Sequence, residues 1–563
     1  MQLVKIWAIV LLLYISGIIL YSSLFILSSN HLALFQYMKI LMAALHCLVL
    51  IIPAVLAQSQ RWLFFILGYA ILVAYFVYVF FLIGYFSYFG FVPEIYALGM
   101  ESAGDLIEVG NHYFAQIFGI QEVALIACAI VFFMLLPRQR IPAKALLTLV
   151  LPLGLFGASV TNFGTPINSR NFGNASLIRR FGLPTFYYLS LQERLSFASN
   201  YLAEETSFPG NVSRIVYPEG SGSDHPVINP LEAVQKVILV QIESFDPEAI
   251  DATLNTEAVM PFVSSIRKTH CLNFTDFHTT KSVGGSSDAE FSVATGRLPS
   301  TRSQSIRHAD FAKMETVYGI LAANGIDSYF AHNNNIGFYG RNLAYAQLPD
   351  VTTFFLGPDE TVPERTFAVD RLATALDTSD RLFYYFFNFQ SHGPFHGYSA
   401  LAEERFGVSV SADADNMSNY MATMYDVDQT IAAMFALQQT YFDQGDSLFI
   451  LTADHTSNLH ADGTVLTNSR IPLLLCHKSF GGRQVENVGS AINLFPTILD
   501  AFDVPGQDRA IADSLLTDAP RVVMFPTQNL LYRDPDGTLS LRPCTEACRT
   551  FFDYTDQFIR ISN

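Results

Sequence analysis

Crossing the hydrocarbon of a bilayer takes about 20 consecutive apolar residues. The first 161 residues hold five such stretches, at roughly 5–28, 36–57, 62–89, 114–136 and 143–161. No water-soluble domain can absorb that pattern, so the chain must begin with a five-span membrane domain (1–161). The stretch 5–28 is longer than the apolar region of a signal peptide and more spans follow it, so it reads as an anchor. Lys5, Arg61 and the group Arg138, Arg140 and Lys144 fall on one side of the spans. The loop from Glu94 to Glu108 has no Lys or Arg. Positive charge stays inside, which places the amino terminus in the cytoplasm and everything after about residue 161 outside.

The outer part is long enough for a catalytic domain with its own core. Residues 162–234 are polar and rich in Gly, Pro, Asn and Ser, with Arg170, Arg179, Arg180 and Arg194 among them. They read as a linker near the membrane surface, where each basic side chain beside anionic lipid contributes about 1 kcal/mol. From 235 to 517 apolar strands alternate with helical patterns, the signature of an α/β fold with a doubly wound sheet. Strands are expected at 236–242, 327–331, 382–388, 447–452 and 471–476. Helices are expected at 287–296, 311–324, 364–377, 415–440 and 490–502. Past 518 the texture changes to short strands, 521–525, 529–533 and 539–542, with the turn Asp534-Pro535-Asp536-Gly537. A small antiparallel β subdomain (518–563) follows.

Chemistry concentrates where these strands end. Glu243 follows the apolar run Val237–Ile242, and Asp454-His455 follows the run Ser447–Thr452. Ser286 and Ser287 follow Gly284-Gly285 at the mouth of a helix beginning Asp288-Ala289-Glu290-Phe291. Ligands of open α/β sheets gather at the carboxyl ends of strands. A lone Glu243 would be read as a strand-end carboxylate capping a helix. With an Asp-His pair and a glycine-framed hydroxyl, the set reads as a divalent-metal site: Glu243, Ser286, Asp454 and His455. Hard oxygen and borderline nitrogen donors suit Mn²⁺, Mg²⁺ or Zn²⁺. Ser286 would be the nucleophile, in the field of metal and helix terminus. Ser287 reads as the helix N-cap, reinforced by Glu290.

A second cluster, His332-Asn333-Asn334-Asn335-Ile336-Gly337-Phe338-Tyr339-Gly340-Arg341, follows the strand Asp327–Ala331. Arg341 can grip phosphate oxygens bidentately. His392, after the run Phe383–Phe389, could hydrogen-bond a transferred phosphate or protonate a leaving alkoxide. His396 reads as an exposed loop residue. Of six cysteines, Cys47 and Cys128 lie in expected spans and read as small apolar residues. Cys271, Cys476, Cys544 and Cys548 lie outside, where three pairings are open. Cys544 with Cys548, closing a short loop, is preferred.

At Ile242-Glu243-Ser244, Ser286–Phe291, Ala453-Asp454-His455 and in its membrane layout, the chain resembles the alkaline phosphatase/sulfatase superfamily. Within it, the chain resembles the lipoteichoic acid synthase-like phosphoglycerol transferases. The resemblance implies a bacterial multi-pass protein of the cytoplasmic (inner) membrane, with a periplasmic or extracellular catalytic domain and one divalent metal, Mn²⁺ by preference. It implies transfer of phosphoglycerol from a phospholipid, phosphatidylglycerol, through a covalent seryl intermediate. The acceptor would be a surface or periplasmic glycan or polyol-phosphate polymer. Ser286 stands where the family usually has Thr. In the family, His-x-Asp followed by Trp-x-Arg grips the headgroup. His332 and Arg341 match, Asn334 replaces the acid and Tyr339 replaces the Trp, which puts the identity of the headgroup in question.

A sulfatase would need Cys or Ser in a C/S-x-P-x-R frame, and neither Ser286-Ser287-Asp288 nor Ser300-Thr301-Arg302 provides it. A phosphoethanolamine transferase is the second reading, and a non-catalytic membrane sensor or assembly partner the third. There is no P-loop and no glycine-rich dinucleotide turn. The net charge of −17 argues against nucleic acid as a partner.

Overall fold

The computed structural model describes residues 62–89, 120–135 and most of 231–543, with isolated residues elsewhere. The chain divides into two compact units, Met1–Thr206 and Ser207–Asn563. In the first, the helix Trp62–Phe89 coincides with the third expected span. At 1.5 Å per residue its 28 residues reach about 42 Å, more than the hydrocarbon core. Among the described residues, it alone is long and apolar enough to cross a membrane. The helix Ile120–Leu135, inside the fourth expected span, has 16 residues. The two touch through Phe76 and Phe132, whose rings are 5.5 Å apart, and Ser16 Oγ lies 3.1 Å from Tyr75 Oη. The other expected spans and the linker to residue 230 fall largely or wholly outside the described residues.

The second unit is built on an eight-stranded sheet. Strands, numbered in chain order, are β1 (Lys236–Ile242), the short hairpin β2 (Thr253–Leu254) and β3 (Glu257–Ala258), β4 (Cys271–His278), β5 (Asp327–Asn335), β6 (Val351–Leu356), β7 (Leu382–Asn388), β8 (Ser447–Ala453), β9 (Leu473–Cys476) and β10 (Arg483–Ser490). The sheet order is β10-β4-β9-β8-β1-β7-β5-β6. All pairs are parallel except those of β9, which runs antiparallel to both β4 and β8. The sheet is therefore mixed.

β1, β7 and β8 are buried along their whole length. A strand covered on both faces can carry an unbroken apolar run, which is how these three read in the sequence. Helices Pro261–His270, Glu364–Thr378 and Asn416–Gln444 pack together as one layer. Helices Ser287–Thr295, Val317–Ala323 and Leu494–Ala501 form a second. A three-stranded antiparallel sheet, β11 (Val522–Phe525), β12 (Asn529–Arg533) and β13 (Leu539–Pro543), matches the expected small subdomain and packs against β10.

One disulfide, Cys271–Cys476, joins β4 to β9, where the two cysteines face each other in register. Cys544 and Cys548, the pairing preferred from sequence, lie outside the described residues.

Candidate metal centre and active site

The register of the central strands assembles the site. Ile242 of β1 is paired with Ala453 of β8, so the next residues, Glu243 and Asp454, emerge side by side. Ser244 adopts a left-handed φ of 55°, and its N–H donates to Asp454 Oδ1 at 2.9 Å. For a residue with a side chain this backbone is costly and tends to persist where function fixes it. Asp246 accepts from the N–H and hydroxyl of Ser457, latching the loop after β1 to the loop after β8.

Ser286 reaches this pair from the nucleophile loop. Its Oγ donates to Glu243 Oε1 at 3.1 Å and lies 3.2 Å from His455 Nε2. His455 Nδ1 lies 2.8 Å from the carbonyl of Thr456 and so carries a proton, which turns Nε2 toward Glu243 Oε1 and Asp454 Oδ2, each 3.2 Å away. Glu243, Asp454 and His455 offer ligand atoms all within 4.8 Å of one another.

The donors suit one divalent ion. Asp454 Oδ2 is buried, makes no well-aligned hydrogen bond among the described residues and lies 3.2 Å from His455 Nε2, facing the other two candidate ligands. Burial and the neighbouring Glu243 charge push the Asp454 carboxyl up to about 7. Burial also opposes ionisation of Glu243, but the hydrogen bond and charge of His455 hold it well below the usual range. Burial lowers the charged form of His455 too, yet the Asp454 and Glu243 carboxylates outweigh it and raise its pKa. Two carboxylates and an imidazole packed this closely are a donor set that suits a cation. Lys281, not singled out from sequence, adds to the same field. Burial lowers its ammonium pKa while Asp454, Glu243 and Asp288 pull the other way.

The nucleophile loop is shaped around Asp288. Its Oδ2 accepts from the N–H groups of Ser282 (2.7 Å) and Gly284 (3.0 Å). A Cβ on Gly284 would sit 2.1 Å from Asp288 Oδ1, and Gly285 has φ of 60°, so both glycines are required. Two expectations are corrected here. The helix begins at Ser287, whose hydroxyl donates to Gly284 O rather than capping, and Glu290 does not reinforce a cap. Buried Glu290 instead accepts from Arg341 Nε and Tyr345 Oη, both at 2.9 Å.

The second cluster surrounds the same site. His332 is buried, with Nδ1 2.9 Å from Phe387 O and its ring stacked on Phe387. Burial and then the Arg341 charge hold its pKa well below the ordinary value, so it is a neutral imidazole. Tyr339, at φ 59°, places its Oη 3.0 Å from a Cβ built on Gly285, above Ser286. Burial raises its phenol. Arg341 is fully buried, held by Glu290, with the rings of Tyr339 and Phe387 each 5.4 Å away. Asn334 is half-buried near the end of β5. His392 is half-buried, its Nδ1 2.7 Å from Gly393 O, and close enough to Glu243 to lower that carboxyl. His396 lies outside the described residues.

With this fold and site in place, the comparisons agree on a class. Residues 235–504 match the family model described as Sulfatase. The chain is 22% identical over 335 residues to lipoteichoic acid synthase 2 of Bacillus subtilis, covering 54% of this chain and 50% of that protein. It is 21% identical to lipoteichoic acid synthase 1 of the same organism over 342 residues, covering 55% and 50%. The chain thus spans about half the length of the curated relatives it matches.

Among solved structures, lipooligosaccharide phosphoethanolamine transferase A of Neisseria meningitidis superposes with a TM-score of 0.54 at 14% identity, covering 90% of this chain and 97% of that one. A lipoteichoic acid synthase from Listeria monocytogenes gives 0.50 at 16%, covering 61% and 98%. At such identities these two speak for the fold alone. Residues 235–504 thus form a domain of the sulfatase/alkaline phosphatase superfamily, and the chain is similar to lipoteichoic acid synthases.

Proposed function

We propose that this protein is a membrane-anchored, metal-dependent phosphotransferase that moves phosphoglycerol from phosphatidylglycerol to a hydroxyl of an envelope glycan or polyol-phosphate polymer. The observation that carries the reading is the placement of Ser286 Oγ, 3.1 Å from Glu243 and 3.2 Å from His455, beside a buried three-ligand set. Glu243, Asp454, His455 and Ser286 would hold the ion, which supplies positive charge that favours the serine alkoxide and offsets charge on the phosphoryl oxygens.

Ser286 would release its proton to solvent before the lipid arrives, and its Oγ, as the alkoxide, attacks phosphorus. The bond from phosphorus to the diacylglycerol oxygen breaks, and His392 protonates that oxygen. A phosphoglycerol ester of Ser286 remains. In the second half an acceptor hydroxyl, or water, loses its proton to His392 and displaces Ser286 from phosphorus. Tyr339 and neutral His332 line the headgroup side. Arg341, locked by Glu290, adds a fixed positive charge behind them.

Two features favour glycerol over ethanolamine. Asn334 can donate to and accept from a glycerol hydroxyl. The ring of Tyr339, which could otherwise hold an ammonium, already lies against the Arg341 guanidinium.

The test is the full chain in mixed phospholipid vesicles, with lipids followed by mass spectrometry. Diacylglycerol should accumulate at the expense of phosphatidylglycerol, stop with a chelator and resume with Mn²⁺. Consumption of phosphatidylethanolamine would transfer the assignment to the second reading. A metal-loaded protein that consumes neither lipid would favour the third.

A further inference from the structure

Glu364 lies against the carboxyl ends of β5 and β7. It is the first residue of the helix Glu364–Thr378 and is 7% exposed. Its Oε1 accepts from Asn388 Nδ2 at 3.0 Å and from the N–H of Phe389 at 2.8 Å. Its Oε2 accepts from Asn333 Nδ2 at 2.7 Å. Every partner is a neutral amide. Burial pushes its carboxyl up to about 7 even with these donors, and an acid held so far from water with no cation beside it is rarely kept for stability alone.

What it joins gives the reason. Asn333 lies between His332 and Asn334, and its Nδ2 also donates to Val362 O at 3.0 Å. Asn388 Oδ1 accepts from Ser391 Oγ at 2.9 Å, and the same hydroxyl lies 2.6 Å from the carbonyl of Glu243. His392 is the next residue. One carboxylate therefore fixes the headgroup loop and the His392 loop against each other, and through Ser391 against the strand end that bears a metal ligand.

We propose that Glu364 is the positioning residue of the site: it acts through Asn333 and Asn388 to set His332, Asn334 and His392 at the spacing a phosphate headgroup requires. This deepens the function proposed above and rests on it. Glu364→Gln isolates the effect. The amide oxygen can still accept from Asn388 and Phe389, but the new NH₂ meets the NH₂ of Asn333, donor against donor.

The experiment compares wild type, Glu364→Gln, Asn333→Ala and the double variant as full-length protein. Backbone hydrogen exchange, metal content, affinity for inorganic orthophosphate and the KM for the lipid donor are read together. In Glu364→Gln, exchange should quicken at 332–335, with 243–246, 454–457 and the bound metal unchanged. Orthophosphate affinity should fall roughly tenfold, the scale of one buried charge-assisted hydrogen bond. KM should rise by a similar factor with less change in kcat. The double variant should be no worse than either single variant, because both break one link.

Unchanged exchange at 332–335, loosening throughout the domain, or additive losses would each overturn the positioning role. If wild type transfers no headgroup, the function proposal falls while exchange and orthophosphate affinity still decide the role of Glu364.

Discussion

Asp454 and His278 both sit at carboxyl ends of strands in one sheet, yet burial drives them to opposite neutral forms. The Asp454 carboxyl rises to about 7, and His278 falls to about 3 through burial and, secondarily, the Arg470 charge. Asp454 belongs to a site that wants a cation, whereas His278 is structural. The ring of His278 lies 2.9 Å from Ser469 Oγ through Nδ1 and edge-on to Phe525.

The linkage sign for His278 follows. Its folded pKa lies below the unfolded value of about 6.5, so between the two the unfolded chain binds more protons. Its contribution to stability is complete above about pH 6.5 and is lost as pH falls toward 3. His278→Gln should flatten the acid limb of thermal midpoint against pH between roughly 6.5 and 4. A variant that tracks wild type through that window would remove His278 from the acid sensitivity.

Among the elements, legibility in the sequence followed burial. β1, β7 and β8, covered on both faces, read as continuous apolar runs and emerged with their expected bounds or one residue longer. β6 and β10 are the sheet edges and are half-exposed or polar, as in Arg483-Gln484-Val485-Glu486-Asn487, so no strand pattern marks them. β4 was missed because Asn273, Thr275 and Asp276 interrupt its apolar residues. The helix expected at 311–324 starts at Val317, because Thr316 caps it by accepting from the N–H of Gly319.

The candidate ligands Glu243, Asp454 and His455 were readable because each follows a central strand. Glu364 and Lys281 were not, since their partners are remote in sequence and unmarked by any motif. The antiparallel β9 was also illegible as such, and the disulfide that pins it to β4 closes a separation of 205 residues. Replacing Cys271 and Cys476 together by Ser should cost about 2–4 kcal/mol in chemical denaturation, the usual range for a native disulfide. An unchanged denaturation midpoint would mean that the two strands hold without it.

At the scale of the whole molecule, a chain with net charge of −17 must draw an anionic substrate by local means. The two proposed here are a bound ion with buried Lys281 beside Glu243 and Asp454, and an apolar amino-terminal unit that would keep the catalytic domain beside lipid headgroups. Under the proposed function both would serve one chemical event, the capture of a headgroup on Ser286. The most direct measurement is intact-peptide mass spectrometry of the full-length protein, quenched in acid after incubation with phosphatidylglycerol and Mn²⁺ but no acceptor. A phosphoglycerol increment is expected on the peptide containing Ser286, localised to that residue by fragmentation. It should be absent in Ser286→Ala and discharged when an acceptor hydroxyl is supplied. Diacylglycerol release with an unmodified Ser286 peptide, or undiminished turnover by Ser286→Ala, would contradict it.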